Sequence, residues 1–198
     1  MQALLANGRA VEIAQACPDD FDRVRVFYEQ LSDSSTYFRF FGIRRRLPTA
    51  ELQSVVAQDV PHHVTLLAST DGELIGIGEF IVGSNLDEAD VAFAVADDHH
   101  REGIATLLLE RLAVIGRRYG LKRFVAQTLP ANRDMLLVFR TVGLTEEAHF
   151  DGGVVEITLD LTTLDRLEVE AEMRYRHAVS MGPQATPDVP SVWAWPPR

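Results

Sequence analysis

The chemistry-bearing stretch of this sequence runs Val91-Ala92-Phe93-Ala94-Val95-Ala96-Asp97-Asp98-His99-His100-Arg101-Glu102-Gly103-Ile104-Ala105-Thr106. An apolar run ends at Ala96, a polar loop follows, and a helical pattern opens at Gly103. The first turn of a helix leaves its N–H groups unpaired and carries the positive end of the helix dipole, so such a junction attracts an anion such as phosphate. Gly103 lets the backbone approach that anion closely, and Ala105 keeps the first turn uncrowded. Two histidine pairs, His62-His63 and His99-His100, compete for attention. Adjacent strand residues point to opposite faces, so neither pair is a ready metal site, and surface or hydrogen-bonding roles are expected. Cys17 has no partner motif and reads as structural.

The elements that would hold this junction follow from hydrophobic period. Val11–Ala16 alternates as a half-buried strand, and Phe21, Val24, Tyr28 and Leu31 recur at helical spacing after Asp19-Asp20. Ser32–Thr36 reads as a turn. Tyr37-Phe38-Arg39-Phe40-Phe41 is expected to pack helices on the sheet or to line a cleft, and Arg44-Arg45-Arg46 to be solvated or set near an acidic partner. A second helix is predicted over Glu51–Ala57. His63–Ser69, Leu74–Val82 and Ala89–Ala96 read as a meander, with a hairpin signal at Asp71-Gly72 and a buried last strand. Ile104, Leu108, Leu112, Ile115 and Tyr119 share one face of a long helix closed near Gly120. Arg123–Thr128 is a strand. A helix from Asn132 or Asp134 to Gly143 and a strand over Val154–Leu161 complete an α/β domain over residues 11–161. Residues 162–198 read as a charged helix, Leu164–His177, and a proline-rich tail or linker containing Trp193 and Trp195.

Bulk properties narrow the function. A net charge of −10 argues against a nucleic-acid partner, because phosphate binding needs surplus Lys and Arg, and it suits a basic substrate. A single cysteine fits a reducing compartment, and without a Cys/His cluster no metal is expected. No run approaches the roughly 18 apolar residues of a membrane span, and the N-terminus lacks the pattern of a signal peptide. The expectation is a cytoplasmic protein with no membrane partner.

The loop resembles the Gln/Arg-x-x-Gly-x-Gly/Ala pyrophosphate loop of the GNAT superfamily of acyl-CoA N-acyltransferases, and the element order is similar to that of the superfamily across residues 11–161. Ala131-Asn132-Arg133 resembles its second cofactor-contacting segment. Leu31-Ser32, Ser34-Ser35-Thr36-Tyr37-Phe38-Arg39-Phe40-Phe41 and Leu47-Pro48 resemble the run carried by Pat-type protein lysine acetyltransferases. The resemblance implies a mixed, mostly antiparallel twisted sheet of six to seven strands, splayed at the central strands and flanked by about four helices. It implies acetyl-CoA as cosubstrate, with no metal, held by Val95, His100, Arg101, Glu102, Gly103, Ile104, Ala105, Thr106 and Asn132. His100 stands where the family has Gln or Arg, and Arg101-Glu102 replaces a Gly-Arg pair. An inward Glu102 would oppose pyrophosphate, with Arg101 offsetting it.

Acetyl transfer needs a neutral amine, and free lysine has a pKa of about 10.4, so a carboxylate base is expected. The resemblance places it at Asp90, with Glu79 and Glu88 as alternatives. The tyrosine acid of many family members is replaced in the region of Phe139 and Arg140. The backbone N–H near Val95 is expected to polarise the thioester carbonyl. The implied activity is direct transfer, in a ternary complex, to an amine, a protein lysine first. The alternatives are a small-molecule amine acetyltransferase and a catalytically weak CoA-sensing regulatory module. A homodimer, or a contact through the C-terminal tail, stays open.

Overall fold

The computed structural model describes residues 2–5 and 8–163. The charged segment Leu164–His177 and the proline-rich tail lie outside the described residues. The chain forms β1 (Gln2–Leu4), β2 (Ala10–Gln15), α1 (Phe21–Gln30), α2 (Asp33–Phe40), α3 (Thr49–Val56), β3 (His63–Thr70), β4 (Glu73–Val82), β5 (Glu88–Val95), α4 (Ile104–Arg118), β6 (Arg123–Thr128), α5 (Arg133–Val142), β7 (Thr145–Asp151) and β8 (Val154–Asp160). The strands make one sheet in the order β1-β2-β3-β4-β5-β6-β8-β7. Every neighbouring pair is antiparallel except β5 and β6.

The expected α/β sheet is therefore present, with eight strands among the described residues where the resemblance implies six to seven. The short β1 escapes a period-based reading because three residues show too little alternation. Ser32–Thr36 is not a turn. Ser32 is the N-cap of α2, its hydroxyl accepting from the Ser35 N–H at 3.2 Å, and a run of polar residues occupies the helix's first turn. Serine and aspartate favour such caps for the same reason that they favour turns, which is why the sequence pattern is ambiguous there.

Period-two alternation splits the sheet into two faces. Val64, Leu66, Ala68, Phe124, Ala126, Ile157 and Leu159 join α4 and α5 in one core. Leu67, Ile77 and Ala94 join α1 and α3 in the other. The long helix α4 lies close on β4: a Cβ added at Gly76 would meet Ile104 Cγ2 at 2.7 Å, and one at Gly78 would meet Leu108 Cβ at 3.1 Å. Glycine at these strand positions thus sets how near the start of α4 approaches the sheet.

The β5–β6 pair is short. Only Glu88, Ala89 and Asp90 are registered, against Arg123, Phe124 and Val125, and beyond Asp90 the strands part. β6 continues to pair with β8 up to Thr128 and Val155. A wedge therefore opens in the middle of the sheet, at the end of β5 that leads into the 97–103 loop.

Gly76→Ala tests the close packing of α4. It is expected to lower unfolding free energy by about 1–2 kcal/mol, the overpacking cost being partly offset by lost chain entropy. Urea unfolding should show a lower midpoint at unchanged m-value.

Candidate active site

The 97–103 loop folds so that its amides stay open. Arg101 and Gly103 both have positive φ, 62° and 91°, and Gly103 is the N-cap of α4. The first bond of the helix runs from Leu107 N–H to Gly103 O at 3.0 Å, which leaves the N–H groups of Ile104, Ala105 and Thr106 without helical partners. His100, Arg101, Gly103, Ile104, Ala105 and Thr106 all line a cleft of about 380 Å³ that enters the wedge between β5 and β6. Asn132 lines it from the other side and caps α5, its Oδ1 accepting from the Met135 N–H at 3.2 Å.

The Glu102 side chain, which would oppose an anion if it pointed inward, is turned away. It does not line the cleft. It lies 3.0 Å from His99 Nδ1 and 3.8 Å from Arg9, so its charge is satisfied behind the loop. No carboxylate of the loop therefore opposes an anion at the open amides. Arg101 lines the cleft, and its Nε sits 3.9 Å from Asp134 of α5.

The wedge also exposes strand backbone. The Ala96 N–H bonds to Ile75 O on the β4 side at 3.0 Å. Backbone direction alternates along a strand, so Val95 and Phe93 turn their N–H groups toward the wedge. The Val95 carbonyl accepts from His100 Nε2 at 3.0 Å, which fixes that ring nitrogen as the protonated one. His99 and His100 also make side-chain hydrogen bonds, to Glu102 and the Val95 carbonyl, whereas His62 is exposed, 3.7 Å from Asp59. His63 is buried and lies 3.0 Å from Glu79.

The two candidate bases occupy the opposite face of the sheet from α4. Glu79 pairs across the strands with Ala92, and Ala92 lines the cleft, yet neither Glu79 nor Asp90 does. Glu79 is 7% exposed and is held by Arg39 and His63. Burial pushes its carboxyl up, but the His63 hydrogen bond and the Arg39 charge outweigh this and hold it below the usual carboxylate range. Arg39 stands between Glu79 and the cleft, which it lines together with Ser35 and Phe38 of α2. Asp90 is exposed, on the face of Ala92 and Ala94, and pairs across the strands with Ile81. Glu88 sits at the closed end of the wedge, 3.4 Å from Arg123. The aromatic run divides: Phe40 packs beside the α1–α3 core, Phe38 lines the cleft, and Tyr37 and Phe41 are exposed.

The sequence pattern assigns no role to Asp97, but the fold does. Its carboxylate accepts from the Ser32 N–H at 2.9 Å, from the Ser32 hydroxyl and from the Ser35 hydroxyl at 2.7 Å. The Leu-Ser-x-x-Ser run is thus a clamp that ties the start of α2 to the loop after β5. Burial pushes Asp97 up, but these hydrogen bonds hold it below the usual aspartate range. The available signal was a serine pair at helix-cap spacing with an acidic residue ending a strand far away, and pairing the two required the fold.

A sheet parted at a parallel strand pair, with a long helix starting at open amides beside the wedge, is the architecture of an acyl-CoA-dependent transferase. The model of the Acetyltransferase (GNAT) family matches residues 24–144, and the chain belongs to that family as an N-acetyltransferase. It is 29% identical over 135 residues to an acetyltransferase of Pseudomonas aeruginosa, covering 66% of this chain and 73% of that one. It is 29% identical over 160 residues to the acetyltransferase Pat of Mycolicibacterium smegmatis, covering 79% of this chain but only 47% of that protein. Among solved structures, the GNAT domain of S. lividans PAT superposes with a TM-score of 0.76 at 35% identity, covering 81% of this chain and 96% of that one. Among the described residues no helix is long and apolar enough to cross a membrane.

The Asp97 clamp has a pH signature. A carboxyl with a depressed folded pKa contributes stability that is present above its unfolded pKa of about 3.9 and is lost as pH falls through the folded value. Asp97→Ala should therefore cost about 1 kcal/mol at pH 7, after allowance for solvent screening, and less at pH 3. Urea titrations at both pH values would read the difference.

Proposed function

We propose that this chain transfers the acetyl group of acetyl-CoA to the side-chain amine of a protein lysine, by direct attack in a ternary complex. The observation that carries the reading is the wedge between β5 and β6, which sets the Val95 N–H and the open amides of α4 along one cleft. The residues fit the cosubstrate. The amides of Ile104, Ala105 and Thr106 suit its pyrophosphate, Arg101 adds positive charge, and Glu102 is turned away. The wedge suits its extended arm. Acetyl-CoA supplies an acetyl group on a sulfur leaving group. The Val95 N–H is placed to stabilise negative charge developing on the acetyl oxygen. As the N–C bond forms and the C–S bond breaks, the amine must give up a proton.

Asp90 is the base in this reading. It lies on the sheet face opposite α4, among the described residues it makes no ion pair, and an aspartate one methylene shorter than glutamate reaches the amine through a water. Glu79 is already engaged by Arg39 and His63 and acts by holding Arg39 in the cleft wall. The acceptor side favours a single amine. Among the described residues lining the cleft Asp134 is the one carboxylate, and it faces Arg101, whereas Arg39 adds a cation to the α2 wall. A polyamine would need further carboxylates for its remaining ammonium groups. Spermidine acetyltransferase from Vibrio cholerae shares the fold at 14% identity, and a small amine is the second reading. We take residues 11–161 as the catalytic domain of a cytoplasmic enzyme, with residues 162–198 or a second copy as candidate contacts.

Asp90→Ala and Asp90→Asn should each lower kcat about 100-fold at neutral pH, within the range expected for a general base, and leave acetyl-CoA affinity unchanged by calorimetry. Full turnover in both variants would move the base to Glu79 or Glu88. Acetylation of spermidine or free amino acids, with no labelled lysine in any lysate protein, would replace the protein acceptor by a small amine.

A further inference from the structure

Thr128 closes β6 at the mouth of the wedge. Phe124, Ala126 and Thr128 are the three successive inward residues of that strand. The first two are packed in the core under α4 and α5. Thr128 lies three residues beyond the last position at which β5 and β6 are registered, so the neighbouring strand has already left. It lines the cleft with Phe93 of β5 and Met135, Val138 and Phe139 of α5, a wall that is otherwise apolar at this depth. Its residue is 1% exposed, and among the described residues its Oγ1 has no hydrogen-bond partner.

A buried hydroxyl without a partner is a destabilising feature, since its hydrogen bonds to water are lost on folding and nothing replaces them. A valine would fill the same shape without that cost. The wedge offers one class of partner: a ligand strand running between β5 and β6, with carbonyl groups along it.

We propose that Thr128 is a binding residue of the acetyl-CoA arm, its hydroxyl donating to a carbonyl oxygen of the ligand inside the wedge. The proposal rests on the acetyl-CoA reading given above. It places a polar determinant on β6, opposite the Val95 backbone on β5, so that both sides of the wedge grip the ligand. In this reading the nucleotide end sits at the amides of α4 rather than at β6. Thr128 is therefore a determinant for the arm alone.

The test is Thr128→Val against Thr128→Ser, with acetyl-CoA, CoA and the nucleotide half of CoA, 3′-phospho-ADP, titrated by calorimetry. Thr128→Val should bind acetyl-CoA about fivefold more weakly, the worth of one hydrogen bond, bind 3′-phospho-ADP as the unsubstituted protein does, and unfold at a higher urea concentration. Thr128→Ser should keep acetyl-CoA affinity within twofold. A loss for both acetyl-CoA and CoA assigns the bond to an amide carbonyl of the arm, and a loss for acetyl-CoA alone assigns it to the thioester carbonyl. Unchanged acetyl-CoA affinity in Thr128→Val, or an equal loss for 3′-phospho-ADP, overturns the proposal. An unsubstituted protein that binds none of the three compounds overturns the acetyl-CoA reading itself and this inference with it.

Discussion

Parallel strands normally continue their ladder as long as both have residues to offer. Here β5 and β6 exchange bonds over Glu88–Asp90 and then separate, although β5 runs on to Val95 and β6 to Thr128. Unpaired backbone in a sheet interior is costly, because each buried N–H and C=O wants a partner. The molecule accommodates the opening in two ways. His100 Nε2 donates to the Val95 carbonyl, and the cleft keeps other groups within reach of solvent or ligand, while the Thr128 hydroxyl has no partner among the described residues. The site is this parting, and the rest of the fold holds it open.

Two constraints maintain it. On one face, α4 is drawn onto β4 by the missing side chains of Gly76 and Gly78, so its first turn is pinned at the end of β5. On the other, Asp97 ties the loop to the start of α2 through Ser32 and Ser35. The same clamp brings Arg39 to the cleft wall, where Glu79 and His63 hold it from behind. The anion-binding amides and the acceptor wall are thus coupled through one short loop, and a carboxylate that belongs to neither links them.

Charge is distributed to the same end. The chain carries a net charge of −10, yet the loop that faces the cleft keeps its one inward-threatening carboxylate, Glu102, bound to His99 and near Arg9. Arg101 and the dipole of α4 therefore face the cleft without a loop carboxylate against them. Local arrangement overrules overall composition, as expected where pairs sit within a few ångströms and the net charge is spread over the surface.

Periodicity determined the meander, the long helix after Gly103, the helix at Asn132 and the final strand, because alternation by two and recurrence near 3.6 are local properties of the chain. The open amides were legible for the same reason: a strand end, a loop and a glycine before a helical pattern specify them. The short β1 and the α2 helix were hidden, the first by its length and the second by residues that suit caps and turns equally. Tertiary structure alone decided which side chains face the cleft. It turned Glu102 away, bound Glu79 to Arg39 and His63, left Asp90 exposed, paired Asp97 with Ser32 and Ser35 across 65 and 62 positions, and left the Thr128 hydroxyl without a partner among the described residues. Sequence spacing sets which face of its own element a residue occupies, whereas the partner it meets there depends on how distant elements pack, and no local pattern encodes that.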